Sequence, residues 1–239
     1  MNYRLTLRVL GASLMVEAVT MLAPVIVAFI YGESPMHFVY SILLAMAVGY
    51  PMSRFRNRRK GMRIRDGFMI VGLAWIALSF FGALPFVFSG EIPNMVDAFF
   101  ECVSGFTTTG ASILTDVEAL SRSSLFWRSF THLLGGMGVL VFALAVLPTI
   151  GGGSTQLMRA ESPGPQPEKL VPRVGETAKV LYKIYLAMTG VLILTFIIAG
   201  MPVFDSFCHA FGTAGTGGFS IYNNSYAHYN NALFEVITT

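Results

Sequence analysis

The chain has 239 residues, of which 54% are hydrophobic and only 12% are charged, and its formal net charge is +3. With a mean hydropathy of +0.63, the sequence carries too few charges for the surface of a water-soluble protein of this size. The composition therefore predicts an integral membrane protein. Two cysteines are too few for a disulfide scaffold.

Five apolar segments are predicted to cross the bilayer as helices. A helix needs about 20 residues to span ~30 Å of hydrocarbon, and all but the second segment reach that length unaided. The second can be extended by His37 and Ser53. The first is too long for a signal-peptide core and has no small-residue cleavage site after it, so we expect it to be retained. The predicted fold is thus all-α, with spans at residues 5–31, 38–52, 67–88, 125–150 and 180–199.

Charge gives the predicted orientation. Fourteen of the sixteen Lys and Arg residues lie before or within the first turn of the first span, between the second and third, or between the fourth and the first turn of the fifth. By the positive-inside rule this side is cytoplasmic, and so is the N-terminus. The outer segments carry acidic residues, which predicts an acidic vestibule that concentrates cations. These residues are Glu33, Glu91, Asp97, Glu101, Asp116, Glu118, Asp205 and Glu235.

The two longer cytoplasmic loops differ in character. Residues 54–65 contain seven basic side chains and only Phe55 as a stacking aromatic. We therefore predict an orientation signal with some anionic-lipid contact, and no nucleic-acid partner. Residues 151–177 contain four prolines and three consecutive glycines, so this loop is predicted to be extended. It is a candidate docking strip for a cytosolic protein.

A segment of the sequence occurs twice. VDAFFECVSGFTTTGASI, at residues 96–113, returns 108 residues later, at 204–221, as FDSFCHAFGTAGTGGFSI. Each copy follows a long apolar segment and is predicted to form a short helix and then an extended Thr/Gly-rich run. In a membrane protein this pattern is typical of a pore helix and a selectivity filter, where backbone carbonyls replace the water around an ion.

The extended runs form the predicted ion site. Glycine supplies the dihedral freedom that such a run needs when its carbonyls point one way. Asp97 and Asp205 stand where the helices are expected to start, and we predict that they are N-caps rather than ion ligands. A packing seam of small residues is the alternative, but it suits Gly135, Gly136 and Gly138 better. The predicted carbonyl donors are Thr107, Thr108, Thr109 and Gly110, and in the second copy Gly215, Thr216, Gly217 and Gly218.

Two other function classes compete with an ion filter. An intramembrane serine protease would use Ser104 or Ser112 with His132 or His209, but no Gly-x-Ser-x-Gly elbow is present. A catalytic serine would also not explain why the segment occurs twice. A secondary transporter with broken helices uses internal repeats that are often inverted, whereas these copies are parallel. We therefore expect no enzymatic activity.

The cysteines give no sign of a metal site. Cys102 and Cys208 lie in the predicted pore helices and are expected to pack as small apolar residues. His209 is adjacent to one of them, but two such groups lack a metal-ligand spacing. We expect no cofactor in this chain.

Six stretches of sequence resemble one known family and together span nearly the whole chain. They resemble the TrkH family, the membrane subunits of bacterial Trk potassium uptake systems within the Trk/Ktr/HKT superfamily. The stretches are GALPFVFSG from Gly82, VDAFFECVSGFTTTGAS from Val96, GGMGVLVFALAVLP from Gly135, QLMRAESPGP from Gln156, RVGETAKVLY from Arg173 and GTGGFS from Gly215.

The resemblance implies an architecture of two leading helices and four repeats of helix, pore helix, filter and helix around one pore. On this pattern residues 1–66 form the leading helices and a basic cytoplasmic loop, and 67–150 form the first repeat. Residues 151–179 form a cytoplasmic linker, and 180–239 form a second repeat without its closing helix. The chain resembles about the first half of the pattern, so we expect a fragment of a longer protein.

The resemblance also implies potassium uptake across the bacterial inner membrane. Each filter of the family contributes one key glycine, and glycine in the first repeat accompanies selectivity for potassium over sodium. Gly110 matches that position, and Gly218 or the adjacent Gly217 matches it in the second repeat. The implied partners are the lipid bilayer, a cytosolic nucleotide-binding regulator of the TrkA type and a second copy of the complete protein. A cation symporter is the alternative. Potassium is expected at Thr108, Thr109, Gly110, Thr216, Gly217 and Gly218.

Overall fold

The computed structural model of the chain describes residues 3–55, 64–136, 138 and 174–238. Within these ranges the chain is helical and contains no strand, which confirms the predicted all-α membrane fold. The helices are α1 (Tyr3–Thr20), α2 (Leu22–Tyr31), α3 (Met36–Ser53), α4 (Ile64–Ser89), α5 (Met95–Phe106), α6 (Arg122–Gly136), α7 (Val174–Ile198), α8 (Val203–Ala214), a 3₁₀ helix (Ser225–Tyr229) and α9 (Ala232–Thr238).

Four helical segments in the described ranges are long and apolar enough to cross a membrane. They are Tyr3–Tyr31, Met36–Ser53, Met69–Ser89 and Lys179–Ile198, and each corresponds to a predicted span. The remaining predicted span, 125–150, begins within α6. Most of its second half lies outside the described residues.

The first span contains a local break between α1 and α2. Pro24 has no N–H to donate to the carbonyl of Thr20, so one helical hydrogen bond is missing there. The Met21 N–H still donates to the Glu17 carbonyl at 2.9 Å. The break is therefore confined to one residue.

The helices pack so that α6 lies between the two short helices α5 and α8. The leading helix α1 packs along α3 and against α4, and α4 packs against α5. The crossing of α1 and α3 is close, since a Cβ added at Gly11 would lie 2.6 Å from the Gly49 carbonyl oxygen. Both α5 and α8 then contact α6, and α7 contacts α8.

Trp127 of α6 is the largest fully buried side chain and joins this arrangement to α4 and α5. Its indole N–H donates to the Gly82 carbonyl at 2.9 Å. The rings of Phe38 and Phe106 meet it edge-on, with centroids 6.5 and 6.3 Å away. An aromatic side chain buries a large apolar area, and such edge-on pairs add to that burial. Trp127 therefore fixes α6 against the first half of the chain.

The glycines at the end of α6 pack as predicted. A Cβ at Gly135 would overlap the Phe106 carbonyl, and a Cβ at Gly136 would lie 3.1 Å from the Gly215 Cα. Small residues here let the ends of α5 and α8 approach α6 closely. The two segments that follow α5 and α8 are thereby brought to the same side of α6.

Candidate functional site

Both pore helices begin before the aspartates that the sequence suggested as caps. Helix α5 starts at Met95, and its N-cap is Asn94, whose side chain accepts from the Val96 N–H at 2.9 Å. Helix α8 starts at Val203 after Pro202, which has no capping side chain. The prediction that Asp97 and Asp205 are N-caps is therefore wrong. Both lie within the first turn, where a carboxylate still faces the positive end of the helix.

The two pore helices end with the same hydrogen bonds. The Thr108 N–H donates to the Gly105 carbonyl at 3.1 Å, and the Thr109 N–H donates to the Ser104 carbonyl at 2.9 Å. In the second copy the Thr216 N–H donates to the Thr213 carbonyl at 2.9 Å. The Gly217 N–H donates to the Gly212 carbonyl at 3.0 Å. This pattern is a Schellman motif, which closes a helix with one left-handed residue.

The left-handed residue of each motif is a threonine, not a glycine. Thr108 has φ +55° and Thr216 has φ +56°. A β-branched residue rarely adopts this conformation, and a non-glycine there costs on the order of 1–3 kcal/mol. The same cost occurs at the same place in both copies. Strain of this kind is concentrated at functional sites, where surrounding contacts hold it.

The glycines after these threonines also match. Gly110 has φ +75° and Gly218 has φ +76°. The conformation therefore pairs Gly218, rather than its neighbour Gly217, with Gly110. In each run two left-handed residues are separated by one residue that is not left-handed. The two runs therefore match at the 108-residue offset. We call residues 107–110 the first filter segment and residues 215–218 the second.

The two filter segments touch each other. A Cβ added at Gly110 would overlap the carbonyl oxygen of Gly217. Within the described ranges, no hydrogen bond ends on a carbonyl oxygen of either filter segment. Two adjacent sets of carbonyl oxygens are thus left available to a ligand. Cations are also favoured here because each segment follows the negative end of a helix.

The surroundings of the two segments differ. Gly217 packs against the ring of His132, and a Cβ there would overlap that ring. A Cβ at Gly218 would meet nothing within 4 Å. The first segment instead leads into a charged network, in which the buried Glu101 carboxylate accepts from the Ser112 hydroxyl and the Ile113 N–H, both at 3.0 Å.

Glu101 does not belong to an open vestibule, contrary to the sequence prediction. Its side chain is fully buried and forms an ion pair with Arg128 of α6 at 2.6 Å. The sequence did carry a signal for this partner, because an arginine inside a predicted span needs a compensating group. The sequence does not show where Glu101 lies in three dimensions.

Other outer acidic residues also form structural bonds. The Glu33 carboxylate accepts from the Arg122 and Ser123 N–H groups at 2.7 and 2.9 Å, at the start of α6. Glu91 accepts from the Ser121 N–H at 2.7 Å. These carboxylates cap α6 from other elements. Glu33 and Glu91 therefore have a structural role at the start of α6, although both remain partly exposed.

Asp205 lies in an aromatic cluster beside the second filter segment. It is buried and accepts from the Tyr222 and Tyr229 hydroxyls at 3.1 and 2.7 Å. Burial, together with the hydrogen bond to Asp205, raises the pKa of the Tyr229 phenol. The same two causes raise the pKa of Tyr222. Both phenols therefore stay neutral donors at physiological pH.

Asn223 connects the outer loops of the two repeats. Its side-chain N–H donates to Asp116 at 2.9 Å, and its side-chain oxygen accepts from the Val117 N–H at 2.8 Å. Its backbone N–H donates to Glu118 at 3.1 Å. These bonds are exposed, so each contributes little, but together they align the segments beyond the filters.

The structure does not assemble the residues that a metal site or a serine protease would need, within the described ranges. Cys102 and Cys208 are buried free thiols, as expected for packing residues. No group of His, Cys, Asp and Glu residues in the described ranges could hold a metal ion. The Ser112 hydroxyl donates to Glu101 rather than to a histidine. This arrangement does not favour a protease.

Glu17 lies behind the first pore helix. Its side chain is buried, and its carboxylate oxygens have no hydrogen-bond partner among the residues that the structure describes. It packs on Gly82 of α4 and lines a cavity of about 20 Å³ with Ser13 and Phe106. Such a cavity has room for one water molecule.

Comparisons with known proteins agree on one family. The model of the TrkH family, described as a cation transport protein, matches residues 34–239. The chain is 41% identical to a Trk system potassium uptake protein TrkH of Vibrio parahaemolyticus, over 100% of this chain and 50% of that protein. It is 39% identical to the TrkH of Halomonas elongata, over 99% of this chain and 50% of that protein. The chain thus spans about half the length of the curated relatives it matches.

A solved structure has the same fold. The crystal structure of the potassium transporter TrkH from Vibrio parahaemolyticus superposes with a TM-score of 0.82 at 36% sequence identity. The match covers 100% of this chain and 48% of that one.

Proposed function

Because this chain belongs to the TrkH family of cation transport proteins, we propose that it supplies two filter segments of a potassium uptake pore. The pore lies in a bacterial inner membrane and is completed by two further repeats outside this sequence. Potassium is the transported ion, and the chain needs no cofactor. The N-terminus is on the cytoplasmic side, as the distribution of basic residues indicates.

One observation supports this proposal above all others. The filter segments adopt the same left-handed residues at the same offset, at Thr108 and Thr216 and at Gly110 and Gly218. They also touch through Gly110 and Gly217. Two equivalent backbone segments in contact are what a ring of carbonyls around one ion requires.

The mechanism follows from the backbone. A potassium ion leaves its water shell for carbonyl oxygens, and the negative ends of α5 and α8 reduce the cost of the transfer. The ligands are carbonyls of Thr108, Thr109 and Gly110 and of Thr216, Gly217 and Gly218. Left-handed threonines hold each run in a shape that the ion does not have to impose.

Flux measurements test the proposal. The complete transporter would be reconstituted in liposomes, and uptake of rubidium, a potassium analogue, would be compared with uptake of sodium. We expect selective uptake of rubidium down its gradient. Uptake that needs a proton or sodium gradient would favour the symporter alternative, and absence of selective uptake would refute a potassium pore.

We propose that the complete protein also binds a cytosolic nucleotide-binding regulator of the TrkA type and forms a homodimer. The relevant surface is the cytoplasmic linker, residues 151–179, of which residues 151–173 lie outside the described residues and the rest begin α7. Deletion of residues 156–166 is expected to weaken co-purification with the regulator. Unchanged co-purification after the linker deletion would mean that this linker is not the main contact.

A further inference from the structure

A buried ion pair connects the ends of the two filter segments. Glu101 belongs to pore helix α5 and Arg128 to α6, and their side chains are 0% and 3% exposed. Each partner also binds one of the chains that leave the filters. Glu101 accepts from the Ser112 hydroxyl, and Arg128 donates to the Ser220 carbonyl at 2.8 Å. Ser112 and Ser220 occupy equivalent positions, 108 residues apart.

Arg128 also holds the second filter segment through an aromatic ring. Its guanidinium carbon lies 3.5 Å from the ring centroid of Phe219, the residue after Gly218. His132 stacks on the same ring with a centroid distance of 4.0 Å. Two groups this close to one centroid cannot share a face, so the ring lies between them. His132 in turn packs against Gly217.

We propose that Arg128 is a positioning residue that couples the two filter segments, with Glu101 as its neutralising partner. The inference rests on the proposed potassium pore. As a pair the two charges cancel, so the guanidinium can order the carbonyl-bearing chain without repelling the permeating cation. Loss of Glu101 leaves an uncompensated positive charge beside Phe219 and Ser220, directly after the second filter segment. An unpaired buried charge is strongly unfavourable.

The proposal distinguishes charge from shape. Lysine at position 128 keeps the charge but lacks the planar fork that reaches Glu101 and Ser220 and stacks on Phe219. Arg128→Lys is therefore expected to keep rubidium flux and to lose selectivity over sodium by about tenfold, equivalent to ~1.4 kcal/mol. Glu101→Gln is expected to reduce rubidium flux itself. The double variant Glu101→Gln with Arg128→Gln removes both charges and is expected to regain flux but not selectivity.

The experiment measures rubidium and sodium uptake by these variants of the complete transporter in liposomes. Arg122→Gln is the matched control. Arg122 lies in the same helix, but its side chain is 46% exposed and its ion pair with Asp205 is long, at 3.8 Å. Its selectivity is expected to stay unchanged. Phe219→Leu provides a second probe, because it removes the stacking with no change in charge, and it is expected to reduce selectivity as Arg128→Lys does.

The outcomes separate this inference from the proposed function. If the unaltered protein takes up rubidium selectively, and Arg128→Lys and Phe219→Leu fold and keep that selectivity, Arg128 does not position the filters. The same conclusion follows if Arg128→Lys fails to fold and Phe219→Leu keeps full selectivity. If the unaltered protein shows no selective uptake, the potassium pore itself is refuted.

Discussion

The first filter segment is held mainly by charged groups, whereas the second is held mainly by aromatic rings. Beyond the first, Glu101 binds Ser112 and Ile113. Beyond the second, Phe219 lies between Arg128 and His132. The backbone conformation is nevertheless the same in both, to within one degree at the paired left-handed residues.

This difference shows which features a carbonyl filter requires. The Schellman hydrogen bonds and the left-handed residues are local, so a short sequence can specify them without help from a particular environment. Side chains around the segment need only hold that shape. They have diverged between the repeats, and α6 contributes to both environments through Arg128.

The repeats also differ in the space around their glycines. Gly110 and Gly218 share a conformation that disfavours side chains, but only Gly110 is packed against the other segment. A substitution at either position meets backbone strain. At Gly110 it also meets the Gly217 carbonyl.

The largest expected effect comes from this pair of glycines. Gly110→Ser in the complete transporter is expected to reduce selectivity for rubidium over sodium by more than about tenfold, because the side chain displaces a carbonyl. Gly218→Ser is the matched control and meets only the cost of a left-handed serine, on the order of 1–3 kcal/mol. Uptake ratios in liposomes measure both. Equal effects would contradict the packing difference.

A second test uses Gly217 and His132. Gly217→Ala places a methyl group against the imidazole ring, and overpacking of this kind costs about 1–3 kcal/mol. We expect lower rubidium flux, with partial recovery when His132→Ala is added. Thr109→Ala at the equivalent, exposed position should have little effect. No recovery in the double variant would show that the ring is not the obstacle.

The aspartates of the pore helices provide a third test. Asp97→Asn and Asp205→Asn both remove a charge from the first turn of a helix, worth about 0.3–1 kcal/mol. Asp205 also accepts from two partly buried phenols, and hydrogen bonds to a charged group are worth about 1.5–3 kcal/mol. Thermal unfolding should therefore show a larger loss of stability for Asp205→Asn. An equal loss would mean that the aromatic cluster contributes nothing.

The smallest effect is expected at Glu17, which packs against helices of the first repeat. It lies 12 residues after Leu5, about 18 Å along the helix at ~1.5 Å per residue. A buried carboxyl without a partner is more readily accommodated in its neutral form. Glu17→Gln should therefore preserve rubidium flux, and Glu17→Leu should alter stability at most. Loss of flux in a well-folded Gln variant would place α1 in the conduction path.

The sequence predicted the repeated backbone well because its signal is local. The 108-residue offset alone paired Thr108 with Thr216 and Gly110 with Gly218, and the φ angles agree. The helix starts were less certain, since Asn94 and Asp97 are both good caps and a sequence does not say which is used first. The spans were predictable from length and hydropathy, as four helical segments confirm.

The network around Arg128 was not predictable in the same way. Its members lie in α5, in α6 and beyond both filter segments, so they meet only through tertiary packing. An arginine inside an apolar span needs a partner, but the sequence offers eight outer acidic residues. The burial of Glu101 decided among them.

The most direct test of a shared potassium site is to locate the ion. Crystals of the complete transporter grown with thallium or rubidium would give an anomalous signal at the bound cation. We predict a peak in contact with carbonyl oxygens of both filter segments, residues 107–110 and 215–218. A cation that contacts only one of them, or that binds elsewhere with both segments empty, would contradict a single site built from two equivalent segments.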